Sequence, residues 1–267
     1  MRGMTGRLRQ HLRMLLHAIT AMIAFMACIG CTSELKSEVT TTPVQQTAKP
    51  PGLVLVLPGI EGGKWSMMFA CQGLRDAGVK AEIEVFEWGR VLGPLANLMD
   101  YEGNRKKAVD LAARLHTFRK DHPAAPIHIV GYSGGGGLAV LVAEALPDDV
   151  HVENLILAHA AISPDYDLTA ALAHVDGKLI NFHSYHDWAL LDVGTRIFGT
   201  IDRKNVASTG KDGFDIEKAV PDPTQRAKII QHAWDPTMTA TGHPGGHFGM
   251  LTYGWNKRFV APFLMSP

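Results

Sequence analysis

A serine flanked by small residues most constrains what this chain can fold into. Residues 131–135 read G-Y-S-G-G, which has the form G-x-S-x-G, and apolar segments lie on both sides of the string. If a strand leads into the string and a helix leads out, the turn forces Ser133 into strained backbone geometry, and residues two positions away must lack bulk. Gly131 and Gly135 meet that requirement. The string therefore predicts a sharp strand-to-helix turn that presents Ser133 at the carboxyl end of a sheet.

From residue 51 onward, short apolar runs alternate with amphipathic stretches. The alternation predicts about six strands, at residues 53–57, 81–86, 127–132, 152–158, 179–182 and 227–232. It predicts helices at residues 65–77, 104–121, 134–146 and 248–264, the last weakened by Gly254. Strands that alternate with helices form βαβ units, so the fold class is α/β, with a mostly parallel central sheet and helices on both faces. No stretch is long enough for a full cap domain.

The glycine-rich string has two other interpretations. It could be a turn that only lets a helix pack closely on a strand. A phosphate-binding loop is the other alternative, but G-x-x-x-x-G-K-[ST] is absent and no lysine follows the string. A nucleophilic serine therefore explains the pattern best, and such a serine needs a base and an orienting carboxylate.

At this point the chain resembles the α/β-hydrolase family. The resemblance covers most of the chain from Leu53 to the C-terminus and depends on the serine turn, a first strand that ends in Pro58-Gly59, and a late Gly-His. It implies the α/β-hydrolase fold and a triad in the chain order serine, acid, histidine. Ser133 is then the nucleophile of an ester or thioester hydrolase.

The resemblance places the acid after a strand that follows the serine turn. Asp187 comes just after the strand predicted at residues 179–182 and is the preferred candidate. Asp165, Asp167 and Asp192 are the alternatives, and Asp165 follows the preceding strand, where some family members carry the acid. A loop cap or turn carboxylate would be the purely structural interpretation.

Two histidines are candidates for the base. In the family the catalytic histidine commonly follows a small residue and opens the final helix, which fits His247 after Gly246. His243 is the alternative. Pro244 restricts His243 away from helical geometry, which suits a residue that supports the loop.

The resemblance also implies an oxyanion hole made of two backbone N–H groups. One belongs to Gly134, which follows the nucleophile, and by position the other belongs to Ile60 in the loop after the first strand. The family often has His-Gly where this chain has Pro58-Gly59. Glu61 lies beside the expected hole, where it would either point to solvent or select substrate charge.

Thirteen histidines raise the question of a metal site. His183 and His186 are three residues apart, but at the end of a strand this spacing does not put both imidazoles on one face, and HExxH is absent. We therefore predict no metal site, and hydrolysis through an acyl-enzyme requires no cofactor. The remaining histidines are read as surface or core residues, and Cys71 as a small core residue.

The N-terminus has the pattern of an export signal. Four arginines precede residue 14 without any acidic residue, and residues 14–29 are mostly apolar but too short for a typical spanning helix. The segment ends in Cys28-Ile29-Gly30-Cys31, which resembles a bacterial lipobox, with Cys31 as the lipidation site and Cys28 as the alternative. Residues 1–31 are thus predicted to be a lipoprotein-type signal peptide. An ordinary cleaved signal or an uncleaved anchor are the other interpretations.

Residues 32–50 are rich in threonine, serine, glutamine and proline and predict a disordered tether, which leaves residues 51–267 as the hydrolase domain. The expected location is the cell envelope, with attachment to the membrane through the lipid. The formal net charge of zero argues against a nucleic-acid partner. Residues 1–31 carry +4, so the remainder of the chain carries −4.

The sequence thus predicts a membrane-tethered serine hydrolase that acts on small-molecule or lipid esters. The alternatives are an acyltransferase or thioesterase that uses the same triad, and a catalytically silent binding lipoprotein of the cell envelope. The apolar residues between Trp88 and Leu95 could line an acyl pocket or simply pack. Residues 199–223 could form a partial lid or a surface excursion.

Overall fold

The computed structural model describes three ranges of the chain, residues 52–89, 94–187 and 200–265. The predicted signal peptide and tether, with Cys28 and Cys31, lie outside these ranges, as does Asp192. Within the described ranges, no helix combines the length and the apolar character needed to cross a membrane.

The described residues form one six-stranded sheet in which every strand pair is parallel. The strands are β1 (Leu53–Leu57), β2 (Glu82–Val85), β3 (Ile127–Tyr132), β4 (Val152–Ala158), β5 (Val175–His183) and β6 (Ile229–Ala233). Their order across the sheet is β2-β1-β3-β4-β5-β6. This confirms the predicted α/β class. β5 begins four residues earlier than predicted because its first residues include Asp176 and Lys178, which interrupt the apolar pattern.

Helices cover both faces of this sheet. They are α1 (Met68–Asp76), α2 (Pro94–Met99), α3 (Tyr101–Asp121), α4 (Gly134–Glu144), α5 (Thr169–Ala173), α6 (Thr209–Asp212), α7 (Ile216–Ala219), α8 (Pro223–Arg226) and α9 (Tyr253–Trp255). Short 3-10 helices occupy Lys64–Met67, Pro236–Thr241, His247–Leu251 and Ala261–Leu264, and Asn256–Val260 is a π-helix.

Alternate residues of β1 enter two separate cores. Leu55 packs into the cluster that includes α3, α4 and α5, whereas Val56 packs into the cluster formed with α1 and the C-terminal helices. All five residues of β1 are buried, which explains its continuous apolar run. Cys71 lies on α1 inside the second core, as predicted.

The single helix predicted at residues 248–264 is wrong. Thr252 has extended backbone (φ −75°, ψ 145°) and ends the 3-10 helix that starts at His247. Asn256 then donates its amide to the carbonyls of Met250 and Thr252, at 2.8 and 2.9 Å, which occupies acceptors that a regular helix would use. A Cβ at Gly254 would lie 2.6 Å from the carbonyl oxygen of Thr241, so this segment packs too closely for an ordinary side chain there.

The segment predicted as a lid or a surface excursion is packed into the domain wherever it is described. From residue 200 onward, the side chains of Ile201, Phe214 and Val220 are buried in the core. In the described ranges this segment is therefore part of the domain and not an open flap.

Candidate active site

The geometry at Ser133 is that of a nucleophile elbow. Ser133 has φ 54° and ψ −121°, between the end of β3 and the start of α4. A Cβ at Gly131 would lie 2.4 Å from the carbonyl oxygen of Gly135, and a Cβ at Gly135 would lie 2.1 Å from that of Pro58. These positions therefore admit only glycine, and the close packing holds Ser133 in its strained conformation.

A continuous hydrogen-bond chain joins Ser133, His247 and Asp187. Nε2 of His247 lies 2.9 Å from Oγ of Ser133, and its Nδ1 lies 2.5 Å from Oδ2 of Asp187. With the Nδ1 proton donated to the carboxylate, Nε2 is free to accept the hydroxyl proton of the serine. The three residues preferred from the sequence therefore meet at one end of the sheet.

Asp187 is a buried carboxylate with two imidazole partners. It follows β5, has 2% of its surface exposed, and accepts from His247 and from Nδ1 of His159 at 2.7 Å. Burial alone would raise the pKa of this carboxyl, but the charge of His247 and the hydrogen bonds from both imidazoles bring the pKa down to about 2. Asp187 is therefore ionised at neutral pH.

The other candidate acids are engaged elsewhere. Asp165 accepts from Nζ of Lys204 at 2.8 Å on the exposed surface, and Asp167 accepts from the backbone N–H of Thr169 at 2.9 Å. The structure thus gives Asp165 and Asp167 the roles of a surface ion pair and a turn carboxylate.

His243 lies behind the triad and not in it. Its Nδ1 accepts from the backbone N–H of Gly245 at 3.1 Å, and its Nε2 lies 3.1 Å from Nε2 of His159. Burial, and then the nearby His159, lower the pKa of His243 to about 3. His159 itself was missed from the sequence. Its position directly after β4 was the available signal, because the carboxyl ends of parallel strands meet at one edge.

Two backbone N–H groups lie close together beside the serine. A Cβ at Gly134 would lie 3.4 Å from the backbone nitrogen of Ile60, so these two predicted donors are neighbours. Gly134 opens α4, and the first N–H groups of a helix have no partner inside it. Within the described part of the chain, neither of the two N–H groups donates a hydrogen bond. Both are therefore available to an anionic oxygen.

The loop that carries Ile60 is held from behind by residues that the sequence did not single out. Nδ2 of Asn97 donates to the carbonyl oxygen of Ile60 at 2.6 Å, and Nε1 of Trp88 donates to that of Pro58 at 3.0 Å. Two alternatives were predicted for this segment, lining an acyl pocket or simple packing. Trp88 is itself buried, which agrees with packing. Residues 90–93 of the same segment lie outside the described ranges.

Glu61, next to the Ile60 donor, is half-buried. Its carboxylate accepts from Oγ of Ser66 at 2.5 Å, and a Cβ at Gly59 would lie 2.4 Å from its Oε2. The carboxylate thus fills the space beside residue 59, and a larger residue there would have to displace the Glu61 side chain. A role for Glu61 in selecting substrate charge stays a prediction.

The histidines considered as metal ligands are separated in the structure. Nδ1 of His183 lies 3.4 Å from the carbonyl oxygen of Lys211, whereas the His186 ring contacts the Trp234 ring, with centroids 4.8 Å apart.

In the described ranges, the one group of three or more residues whose possible ligand atoms lie within 4.8 Å of one another comprises His159, Asp187 and His247. Both imidazoles of this group already bond to the same oxygen of Asp187, so a metal ion would have to replace those hydrogen bonds.

Known proteins resemble the chain distantly. No family model matches it. Monoglyceride lipase from Rattus norvegicus is 32% identical over 73 residues, which are 27% of this chain, and the chain spans about a quarter (23%) of the length of that lipase. The esterase domain of a Rhodothermus marinus protein is 14% identical, with a TM-score of 0.47 over 82% of this chain and 86% of that domain. An esterase from Pyrococcus furiosus is 13% identical, with a TM-score of 0.47 over 80% and 82%. The α/β class of this chain is shown by its own parallel sheet and by the strained turn that joins β3 to α4.

Proposed function

We propose that this protein is a serine hydrolase that cleaves carboxylic esters or thioesters through an acyl-enzyme on Ser133. The observation that supports this most strongly is the hydrogen-bond chain Ser133–His247–Asp187 beside two unengaged backbone N–H groups. A buried serine could form one such hydrogen bond for structural reasons. A strained serine, an oriented imidazole, an ionised carboxylate and an anion-binding pair of N–H groups together are what acyl transfer requires.

The proposed reaction has two halves. Nε2 of His247 takes the hydroxyl proton as Oγ of Ser133 attacks the carbonyl carbon, and the negative oxygen binds the N–H groups of Ile60 and Gly134. His247 then gives that proton to the departing alcohol or thiol, which leaves an acyl-serine. A water molecule loses a proton to His247, attacks the acyl carbon and releases the acid, and the proton returns to Ser133. Asp187 holds the imidazole tautomer and stabilises its charged form.

Covalent labelling tests the nucleophile directly. The full-length protein is treated with a fluorophosphonate probe, and the modified peptide is identified by mass spectrometry. We expect a label on Ser133 that is absent from Ser133→Ala and from heat-denatured protein, together with turnover of p-nitrophenyl esters. Folded protein that takes up no label and cleaves no ester of any chain length would contradict the proposal and favour a catalytically silent binding protein.

A series of p-nitrophenyl esters of increasing acyl length would then define the substrate class. Product analysis in the presence of competing alcohols would separate hydrolysis from acyl transfer, because a transferase forms the new ester in place of the free acid.

We also propose that the precursor is exported and lipidated at Cys31. The supporting observation is the arginine-rich start followed by a short apolar run and a cysteine after Gly30. Mass spectrometry of the mature N-terminus should find a diacylglyceryl group on Cys31. An unmodified Cys31, or modification of Cys28, would refute this assignment.

A further inference from the structure

A second, fully buried hydrogen-bond chain reaches Asp187 without passing through Ser133. It begins at the backbone N–H of Gly245, passes through His243 and His159, and ends at the carboxylate oxygen that His247 also contacts. The triad does not require these two additional imidazoles, so their presence calls for a reason.

The anchor at Gly245 fixes the direction of every hydrogen bond in this chain. A neutral imidazole has one donor and one acceptor nitrogen. Because Gly245 donates to Nδ1 of His243, Nε2 of His243 carries the hydrogen and donates to Nε2 of His159 at 3.1 Å. Nδ1 of His159 is then the protonated nitrogen and donates to Oδ2 of Asp187 at 2.7 Å. One set of tautomers therefore satisfies all four groups.

Both imidazoles are placed where they stay neutral. His159 and His243 each have 1% of their surface exposed, and burial lowers the pKa of both. The titratable groups that act on His159 are Asp187 and His247, and those that act on His243 are His159, Asp187 and His247. A neutral His159 is a fixed single donor toward Asp187 and adds no charge to the site.

The backbone at His159 is strained in a way that serves this contact. His159 has φ 50° directly after β4, a conformation uncommon for residues other than glycine, while its N–H donates to the carbonyl oxygen of Phe182 at 2.9 Å. The chain thus leaves β4 through an unfavourable turn, and the imidazole bonded to Asp187 lies at that turn. Strain of this kind in a buried polar residue is typical of functional sites.

We propose that His159 is a positioning residue for the serine hydrolase reaction: it holds the Asp187 carboxylate toward His247 and shares its negative charge, and His243 fixes the tautomer in which it does so. This inference rests on the proposed function. Without the donor at His159, the carboxylate is free to rotate away and is less well neutralised. The carboxylate then attracts the charged form of His247 more strongly, and its position relative to His247 is less constant.

Two substitutions at His159 separate the effect of its hydrogen bond from the effect of the space that its side chain fills. His159→Asn keeps a donor, since the amide Nδ2 takes the place of Nδ1, and asparagine tolerates positive φ. His159→Leu removes the donor. We expect His159→Leu to lower kcat for a p-nitrophenyl ester about 10- to 100-fold with KM within about twofold, and His159→Asn to restore kcat to within about threefold of the original protein.

The pH profile and proton spectrum give a readout that loss of packing alone would not move. In His159→Leu, the acidic limb of kcat/KM should shift to higher pH. The low-field proton resonance of the His247–Asp187 hydrogen bond should also change position. His128→Leu is the matched control, because His128 is equally buried on β3 and is bonded to neither Asp187 nor His247. It should leave both readouts unchanged.

The outcomes separate this inference from the proposed function. If fluorophosphonate labels Ser133 while His159→Leu keeps the original kcat, pH profile and low-field resonance, the positioning role is wrong. If His159→Asn is as impaired as His159→Leu, the donor is not what matters and the role is also wrong. If Ser133 is never labelled, the proposed function fails, and the low-field resonance still tests the contact. Should His159→Leu not fold, the positioning role is tested with His159→Asn and His243→Phe. The low-field resonance should shift in His243→Phe, and an unchanged resonance there would contradict the role given to His243.

Discussion

At the residue scale, the two late histidines have different chemistry although they are only four positions apart. The ring of His247 bridges Ser133 and Asp187, whereas His243 bonds to a backbone N–H and to a second imidazole. Only His247 can take a proton from the serine and be stabilised by the carboxylate in the same step. Sequence spacing alone could not separate them, because the difference lies in which groups face each ring.

His247→Ala should therefore remove the base, with kcat about 10³-fold lower and KM little changed, as measured with a short-chain p-nitrophenyl ester. His186→Ala is the matched control, since its imidazole is exposed near the same loop and contacts the rings of Tyr185 and Trp234, which lie outside the triad. A His247→Ala protein that keeps most of its kcat, alongside a His243→Ala protein that loses it, would assign the base to His243.

At the scale of elements, the elbow requires β1, β3 and α4 to approach more closely than side chains allow. The Cβ of Gly135→Ala would meet the backbone oxygens of Pro58 and Leu57 at 2.1 and 2.3 Å, and backbone cannot rotate away as a side chain can. We expect a loss of about 3 kcal/mol in the free energy of unfolding, or roughly 6–12 °C in Tm for a domain of this size, measured by thermal unfolding.

Gly246→Ala is the matched control for that substitution. Gly246 has φ −79°, and no atom lies within 4 Å of the Cβ position. The alanine there should leave Tm within about a degree and preserve activity, although it directly precedes His247. Equal Tm values for the two variants would mean that the elbow is not as closely packed as the described geometry requires.

The loop that carries Ile60, the proposed oxyanion donor, depends on a distant helix for its position. Asn97, in α2, donates to the carbonyl of Ile60, and Asn104, in α3, donates in turn to the carbonyl of Asn97 at 2.6 Å. Because the peptide N–H of residue 60 points where the loop directs it, Asn97→Ala should lower kcat about 10-fold with little change in KM.

Asn154→Ala is the control for Asn97→Ala, because Asn154 is also buried and donates to a backbone carbonyl, that of Phe263 at 2.7 Å. It lies within β4, away from the carboxyl end of the sheet. The two variants should lose similar stability, measured by denaturant unfolding, but only Asn97→Ala should lose kcat. Equal kcat losses would show that the effect is a general loss of stability.

At the scale of the whole molecule, the features that repeat along the sequence were the ones that could be predicted from it. The alternation of six apolar runs with helical stretches predicted the parallel sheet, and the glycine pattern around Ser133 predicted the elbow. Contacts between single residues that are far apart in the sequence could not be predicted. Asn97 reaches Ile60 across 37 residues and His159 reaches Asp187 across 28, and no local pattern encodes either pair. The C-terminal segment was predicted as one helix because side-chain periodicity does not reveal that Asn256 occupies the backbone acceptors.

The buried histidines make the stability of the molecule depend on pH in a predictable direction. Burial lowers the pKa of His128 from 6.5 to about 4 and that of His243 from 6.5 to about 3, and it also lowers the pKa of His159. The unfolded chain therefore binds protons below about pH 6.5 that the folded protein does not. With respect to these histidines, the free energy of unfolding is at its full value above that pH and falls as the pH decreases toward 4. Asp187, with a pKa of about 2 against 3.8 ordinarily, loses its contribution only below this window.

His128 offers a test of this pH dependence outside the active site, since it lies near the start of β3 and its Nδ1 has no hydrogen-bond partner among the described residues. Its shift corresponds to about 3 kcal/mol of stability lost between pH 6.5 and 4. His128→Leu should therefore reduce the slope of the free energy of unfolding against pH by about 1.4 kcal/mol per pH unit in that window, as measured by urea unfolding at half-unit steps. Parallel curves for the two proteins, displaced only by a constant, would mean that His128 does not stay neutral in the folded protein. The acid sensitivity would then belong to His159 and His243, next to the triad.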